Sequence, residues 1–417
     1  MDLLKTLSEE FSIKPANAEN IISLIDGGNT IPFIARYRKE MTGSCDDQVL
    51  HEFSLRLQYL RNLDKRKKEI AESIASQGKM TEELARAVEN AQTLTEAEDI
   101  YRPFRPKRRT RATIAEEKGL RPLAETLLRQ DKKSEAPKEL AAAFIDPEKG
   151  VNTLEEALTG AQDIIAEIIS DDAETRKKLR ALMKKDGSVQ SKAAKKQNPV
   201  YQMYYDYAEP VSKIPGHRIL AINRGEREEA LKVSILLNEA GALSIVNAAF
   251  VKDEAPASSI VKDAGKDAWE RLIYPSVERE VRSELTEKAV SQAINLFAMN
   301  LRPLLLTPPL KGRVTLGLDP AYRTGCKIAV VDETGKVLDT TVVYPTPPQS
   351  KTEEAKKELT RLINKHGVTA ISIGNGTASK ESEIFVAELI KELGAPVGYM
   401  MVNEAGASVY SASKLAA

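Results

Sequence analysis

Three polar side chains stand where an apolar run stops. Asp319 follows "RVTLGL", Asn375 follows "VTAISIG" and Glu404 follows "PVGYMMVN". Carboxylates at strand ends are hard oxygen donors of the kind that hold Mg²⁺. Phosphodiester hydrolysis by two ions roughly 3.5–4 Å apart uses about four of them. Here two carboxylates and one neutral amide are visible, because Asn375 stands where a further acid would be wanted. Asp319 therefore has three open readings: a metal ligand, the remnant of a metal site, or a turn residue, since Asp-Pro is ordinary turn chemistry. As a nuclease centre the pair Asp319 and Glu404 would be catalytic, with Mg²⁺ or Mn²⁺ as cofactor. Otherwise no metal and no cofactor is expected. "DPAYRTG" could wrap a phosphate in an actin-like ATPase, but that needs a second glycine-rich loop and a second domain of the same fold, and neither is in the sequence.

A second chemistry is carried by "YRPFRPKRRTR" at 101–111. Arg102, Arg105, Lys107, Arg108, Arg109 and Arg111 are spaced by Pro103 and Pro106 and flanked by Tyr101 and Phe104. Prolines keep such a run extended, guanidinium forks suit phosphate oxygens, and aromatics beside cations can stack on unpaired bases. Six phosphate contacts would give a log–log salt slope of roughly −4 to −5. The opposing reading is a loop neutralised by Glu96, Glu98 and Asp99. Arg36, Arg38 and Lys39 lie on the second helix of a helix-turn-helix pattern, which is either a DNA reader or a packing unit. "LDKRKKE" and "RKKLRALMKK" read as solvated helix faces. The tyrosines of 201–207 read as packing, and Trp269 as core.

The elements that must position these residues change in kind along the chain. To about residue 190 the pattern is helical. "ANAENIISLIDGG" stops at Gly27 and Gly28, and "TIPFIARYRKEMTG" restarts with Thr30 as N-cap and Pro32 in the first turn. A long charged helix is closed by Gly78. "KKDGSVQSKAAKKQNP" (184–199) has no apolar period and reads as a linker. Residues 217–235 read as a small hairpin turning at Arg224-Gly225. One helix is predicted over 276–301, with Val281, Leu285, Ala289, Ala293, Leu296 and Phe297 on one face, ended by Pro303 and the "TPP" of 307–309. After Lys311 three strands are followed by helix, strand, helix, strand. Ser350 and Glu353 have capping-box spacing, and Ala355, Leu359, Leu362 and Ile363 line one face. This is the order of an RNase H-like fold.

Composition narrows the class. Lys plus Arg and Asp plus Glu are both 61, so a wholesale basic coat for nucleic acid is excluded while local patches are not. Two cysteines, Cys45 and Cys326, imply no disulfide framework and suit a reducing cytoplasm. No apolar run approaches the roughly 20 residues that span a bilayer, and "MDLLKTLSEEF" is unlike a signal peptide.

"IPFIARYRKEMTG", "YRPFRPKRRTRATIAEEKGL", "TLGLDPAYRTGCKIAVVD", "ISIGNGTAS" and "VNEAGASVYSASKLA" occur in order, and with them the chain resembles the bacterial Tex family of transcription accessory proteins. The resemblance implies mostly α N-terminal and central regions with helix-turn-helix units, over 1–190 and 200–310. It implies an α/β RNase H-like (YqgF-type) domain over 312–417, incomplete at its C-terminus. The family's helix-hairpin-helix units and S1 domain would follow, so the chain resembles an N-terminal fragment. The implied function is a cytoplasmic, nucleic-acid-binding accessory factor and scaffold, with RNA or DNA as partner, bound more weakly without an S1 domain, and with transcription proteins as further partners. YqgF domains resemble Holliday-junction resolvases, so Asp319 and Glu404 map onto acidic positions of that family and Asn375 does not. The alternative is a metal-dependent nuclease or resolvase acting on RNA or branched DNA. A third reading is a protein-interaction scaffold whose basic run is neutralised by its own acids.

Overall fold

One glycine pair, single glycines and short polar caps cut the first third of the chain into helices. The computed structural model describes residues 2–106, 109–252, 254–306, 310–394 and 396–411. It forms two compact units, Met1–Ala289 and Val290–Ala417.

The first unit begins with α1 (Leu3–Glu10), α2 (Pro15–Asp26), α3 (Ile31–Tyr37), α4 (Lys39–Thr42), α5 (Asp47–Ser76), α6 (Glu82–Asn90) and α7 (Leu94–Tyr101). Helix α2 stops at Gly27, and Gly28 takes φ +78. Thr30 precedes α3 as predicted, although its side chain makes no capping hydrogen bond. Helix α5, 30 residues and so about 45 Å long, buries one stripe: Leu50, Phe53, Leu57, Leu60, Leu63, Ile70 and Ile74. Its first half packs on α1–α3 and its second half on α6 and α7. Lys67 falls in the same stripe and donates to the Glu89 carbonyl at 2.8 Å; burial pushes its ammonium pKa down.

There follow α8 (Arg111–Glu117), α9 (Arg121–Arg129), α10 (Pro137–Ala142), α11 (Leu154–Asp171), α12 (Ala173–Asp186), β1 (Ser188–Ala193), β2 (Asp206–Pro210), α13 (Gly216–Arg227), β3 (Leu231–Leu236), α14 (Glu239–Phe250), α15 (Ser258–Asp267) and α16 (Tyr274–Leu305). One core holds them together, from Ala112 to Ala289, and it runs without a break across 190–200. The linker reading of 184–199 is therefore corrected: β1 is the middle strand of a sheet ordered β2-β1-β3, antiparallel throughout. Its alternation was hidden because one of its two buried residues is polar. Val189 and Ser191 point inward, and the Ser191 hydroxyl donates to the Tyr204 carbonyl at 2.6 Å. The hairpin reading of 217–235 is corrected too, to helix α13 followed by strand β3. Gly225 lies inside α13 because Leu231 and Tyr201 press on it. A Cβ there would sit 2.6 Å from Leu231 Cδ1 and 3.0 Å from Tyr201 Cδ1. Tyr201 and Tyr204 are buried, as the packing reading expects, and so is Trp269, which lies in a π-helical turn (Ala268–Ile273) between α15 and α16. Helix α16 buries Val281 and Ala289, but Leu296 and Phe297 further along the expected face are exposed. Pro303 lies inside its last turn rather than beyond it, and Thr307–Pro309 are outside the described residues.

Four charged side chains lock α7, α12 and α16 together. The Arg176 guanidinium donates to Asp99 at 2.9 Å and to Glu280 at 2.5 Å. Arg180 donates to Asp99 at 2.8 Å and to Glu280 at 2.7 Å. Arg176 is wholly buried, and Asp99 and Arg180 are nearly so.

The second unit holds a five-stranded sheet: β4 (Thr315–Asp319), β5 (Cys326–Val331), β6 (Val337–Val343), β7 (Ala370–Gly374) and β8 (Gly398–Val402), in the order β6-β5-β4-β7-β8. Strands β4, β7 and β8 are parallel, and β5 is antiparallel to both of its neighbours. Helices α17 (Thr352–His366) and α18 (Ser379–Leu393) supply Ala355, Leu359, Leu362, Ile363, Phe385 and Val386 to the core beneath it. A short α19 (Ala405–Ser411) follows β8. This is the RNase H-like arrangement expected from strand order. The capping box expected at Ser350 is absent, because Ser350 and Lys351 donate their backbone N–H groups to Thr346 and Tyr344 and Lys351 becomes the N-cap.

Two outcomes follow from these charges. Asp99→Asn leaves buried guanidinium groups under-compensated and should cost about 3–5 kcal/mol in urea unfolding. On β6, the Asp339 carboxylate accepts from Lys365 and His366 at 2.8 and 3.1 Å, and these bonds lower its pKa from 3.8 to about 2. A depressed carboxyl stabilises the fold above pH 3.8, and that contribution is lost as pH falls through about 2. Acid titration followed by circular dichroism should show this loss in the wild type and not in Asp339→Asn.

Candidate functional site

The carboxyl ends of β4, β7 and β8 lie side by side because the three strands are parallel, with Leu318 beside Ile373 and Gly374 beside Val402. Side chains just past these ends converge on an open cleft of about 920 Å³. Asp319 and Glu404 both line it, together with Lys327, Ser372 and Ser408. Register places Lys327 of β5 directly opposite Asp319, with its ammonium 3.8 Å from the carboxylate and both groups largely exposed. Such a pair is worth at most about 1 kcal/mol.

Asn375 does not point a free amide at the cleft. Its Oδ1 accepts the backbone N–H of Glu404 at 3.1 Å, and its backbone N–H donates to the Val402 carbonyl at 3.0 Å. It thus fixes the loop that carries Glu404. The Glu404 carboxylate lies over two glycines. A Cβ on Gly374 would meet Glu404 Oε2 at 2.5 Å, and one on Gly376 would meet Oε1 at 2.0 Å. The glycines of "IGNG" make room for this side chain, a role no spacing rule indicated.

Among the described residues the cleft offers fewer oxygen donors than the about four carboxylates of a two-ion centre. It holds two carboxylates, one facing an ammonium, and an amide oxygen committed to the backbone. No group of three or more His, Cys, Asp or Glu that could hold a metal occurs among the described residues.

The basic run is distributed over several partners. Arg102 pairs with Asp171 at 3.3 Å, Arg105 with Glu98, and Arg109 with Glu117 at 3.0 Å. Arg111 opens α8 and is exposed. Lys107 and Arg108 lie outside the described residues. Of the acids named as neutralisers, Glu98 takes Arg105 and Arg66, Glu96 takes Lys177, and Asp99 belongs to the buried lock. Arg36, Arg38 and Lys39 differ: Arg36 and Lys39 are exposed, and Arg38 lies with its guanidinium 5.1 Å from the Phe33 ring centroid.

Three family models match the chain: the Tex-like protein N-terminal domain over 1–75, the Tex central region-like model over 132–297, and the Tex protein YqgF-like domain over 313–417. The chain belongs to the Tex family. Among curated relatives, it is 46% identical over 421 residues to protein YdcI of Bacillus subtilis, covering 99% of this chain and 58% of YdcI. It is 39% identical over 432 residues to the transcriptional accessory protein Tex of Neisseria gonorrhoeae, covering 100% and 55%. It is 37% identical over 434 residues to the human S1 RNA-binding domain-containing protein 1, covering 99% and 43%. The chain spans about half the length of the curated relatives it matches.

The packing of Glu404 over the glycines sets an expected outcome. Gly376→Ala should push the flexible carboxylate aside rather than unfold the sheet, so stability should change by less than about 1 kcal/mol. A crystal structure of the variant should show Glu404 displaced with the β8–α19 backbone intact.

Proposed function

We propose that this chain is the nucleic-acid-binding and scaffolding part of a transcription accessory factor, with a non-catalytic YqgF-like unit. One observation carries the second half of the reading: the amide of Asn375 is used to hold the Glu404 backbone, and Lys327 faces Asp319. A cleft arranged in this way holds a loop and a weak ion pair, and its described residues supply two of the about four carboxylates that two divalent cations use. The names of the gonococcal and human relatives support transcription and RNA as the setting. In this reading the partners are RNA or DNA and proteins of the transcription machinery, and the compartment is the cytoplasm. No described helix is long and apolar enough to cross a membrane.

In the same reading Arg105, Lys107, Arg108, Arg109 and Arg111 contact phosphates, while Arg102 with Asp171 serves mainly to anchor the run. The ion pairs of Arg105 and Arg109 are exposed and weak, so a phosphodiester can displace their carboxylates. The competing nuclease reading is favoured by one fact, that Asp319 and Glu404 share the cleft.

Both halves are open to test with this chain. Incubation with labelled RNA and with a four-way DNA junction in Mg²⁺ or Mn²⁺ should give no cleavage. Cleavage that Asp319→Asn abolishes would establish the nuclease instead. Fluorescence anisotropy from about 50 to 300 mM salt should show binding that weakens steeply with salt, and Arg105→Ala with Arg109→Ala should make the slope shallower by about 1 to 2. Absence of binding at the lowest salt would leave the chain as a scaffold only.

A further inference from the structure

Most arginines near the N-terminal helices are spoken for. Arg56 pairs with Glu10 and Arg61 with Asp26, each through two hydrogen bonds. Arg66 pairs with Glu98 and Glu69. The segment 33–39 breaks this pattern. Arg36, Arg38 and Lys39 form no ion pair among the described residues, and the one acid within the segment's next residue, Glu40, is exposed and unpaired as well. Within this cluster Tyr37 is 62% exposed. Its ring lies 5.3 Å from that of Phe33, tilted by 43°. The Arg38 guanidinium stacks on Phe33 and donates to the Tyr37 carbonyl at 2.9 Å. The backbone beneath is packed and hydrogen-bonded: Ile34 is wholly buried against α5, and Asn20 donates to the Met41 carbonyl at 3.1 Å.

An exposed aromatic face among unpaired cations, on a packed backbone, is the arrangement that binds an unpaired base and its phosphates. It is poorly suited to reading a duplex. Helix α4 has four residues, about 6 Å, a single turn, whereas groove reading needs a helix that lays several side chains along base edges. We propose that the α3–α4 surface is a single-strand nucleic-acid site, in which Tyr37 stacks on a base and Arg36 and Lys39 contact the flanking phosphates. This rests on the nucleic-acid reading above and locates a site separate from the run at 101–111.

The test is anisotropy of this chain with labelled 12-nucleotide RNA, DNA of the same sequence, and the corresponding duplex, at low salt. Tyr37→Ala should weaken single-strand binding roughly tenfold or more and affect the duplex little, and Tyr37→Phe should restore it. Arg36→Gln with Lys39→Gln should make the single-strand salt slope shallower by roughly 1 to 1.5. These exposed changes carry the same test should Tyr37→Ala lower the melting temperature. The RNA and DNA arms show which strand is preferred. Wild-type binding that neither variant alters would overturn this site and leave the nucleic-acid reading standing. No binding by the wild type to any of the three would overturn both.

Discussion

The first unit depends on one buried lock. Asp99 and Glu280 share two guanidinium groups, Arg176 and Arg180, and so join α7, α12 and α16 through three buried side chains and the half-buried Glu280. Burying these charges costs several kcal/mol per ion, which is offset only if geometry and hydrogen bonding are close to complete. The lock is therefore weak as a source of net stability and strong as a constraint. Each helix can take only the position in which both carboxylates meet both forks. Ser276, one turn before Glu280 on α16, accepts a further hydrogen bond from Arg176 at 3.0 Å. For Glu280, burial raises the carboxyl pKa, but the charge of Arg176 and the bonds from Arg180 and Ser276 outweigh it, and the group stays ionised below the usual carboxylate range.

That constraint reaches the surface. Arg102 follows α7 directly, so fixing Asp99 fixes where the basic run leaves the helix and brings Arg102 against Asp171. Glu98, one residue before Asp99, links the run to α5 through Arg66. Carboxylates placed to position the run also neutralise part of it. The consequence is that Arg102, Arg105 and Arg109 each meet a carboxylate, while Arg36, Arg38 and Lys39 form no ion pair among the described residues, in a chain whose formal net charge is zero.

In the second unit the ordering principle is strand direction. Three parallel strands end at the same edge of the sheet, and whatever follows them must gather there. Asp319 and Glu404 reach the cleft for that reason. The residues around them decide what the cleft can do. Lys327 faces Asp319 by antiparallel register, Asn375 holds the Glu404 backbone, and Gly374 and Gly376 leave space for the Glu404 side chain.

Much of this was legible in the amino-acid order alone. Glycines, caps and the 3.6-residue period marked the helices around α2, α3 and α5, and the alternation of short apolar runs with helices revealed the RNase H-like order, because those signals are local and repeat along the chain. Strand β1 escaped because a buried serine, satisfied by Tyr204, stood where periodicity requires an apolar residue. Gly225 read as a turn because its reason, the press of Leu231 and Tyr201, comes from residues apart from it in the chain. The same limit applies to function. Residue types told which side chains could bind phosphate or metal. Only the tertiary structure decided which cations meet a carboxylate, and that Asn375 serves the backbone of Glu404, because pairings such as Arg176 with Glu280 join residues 104 positions apart and depend on how helices and strands pack.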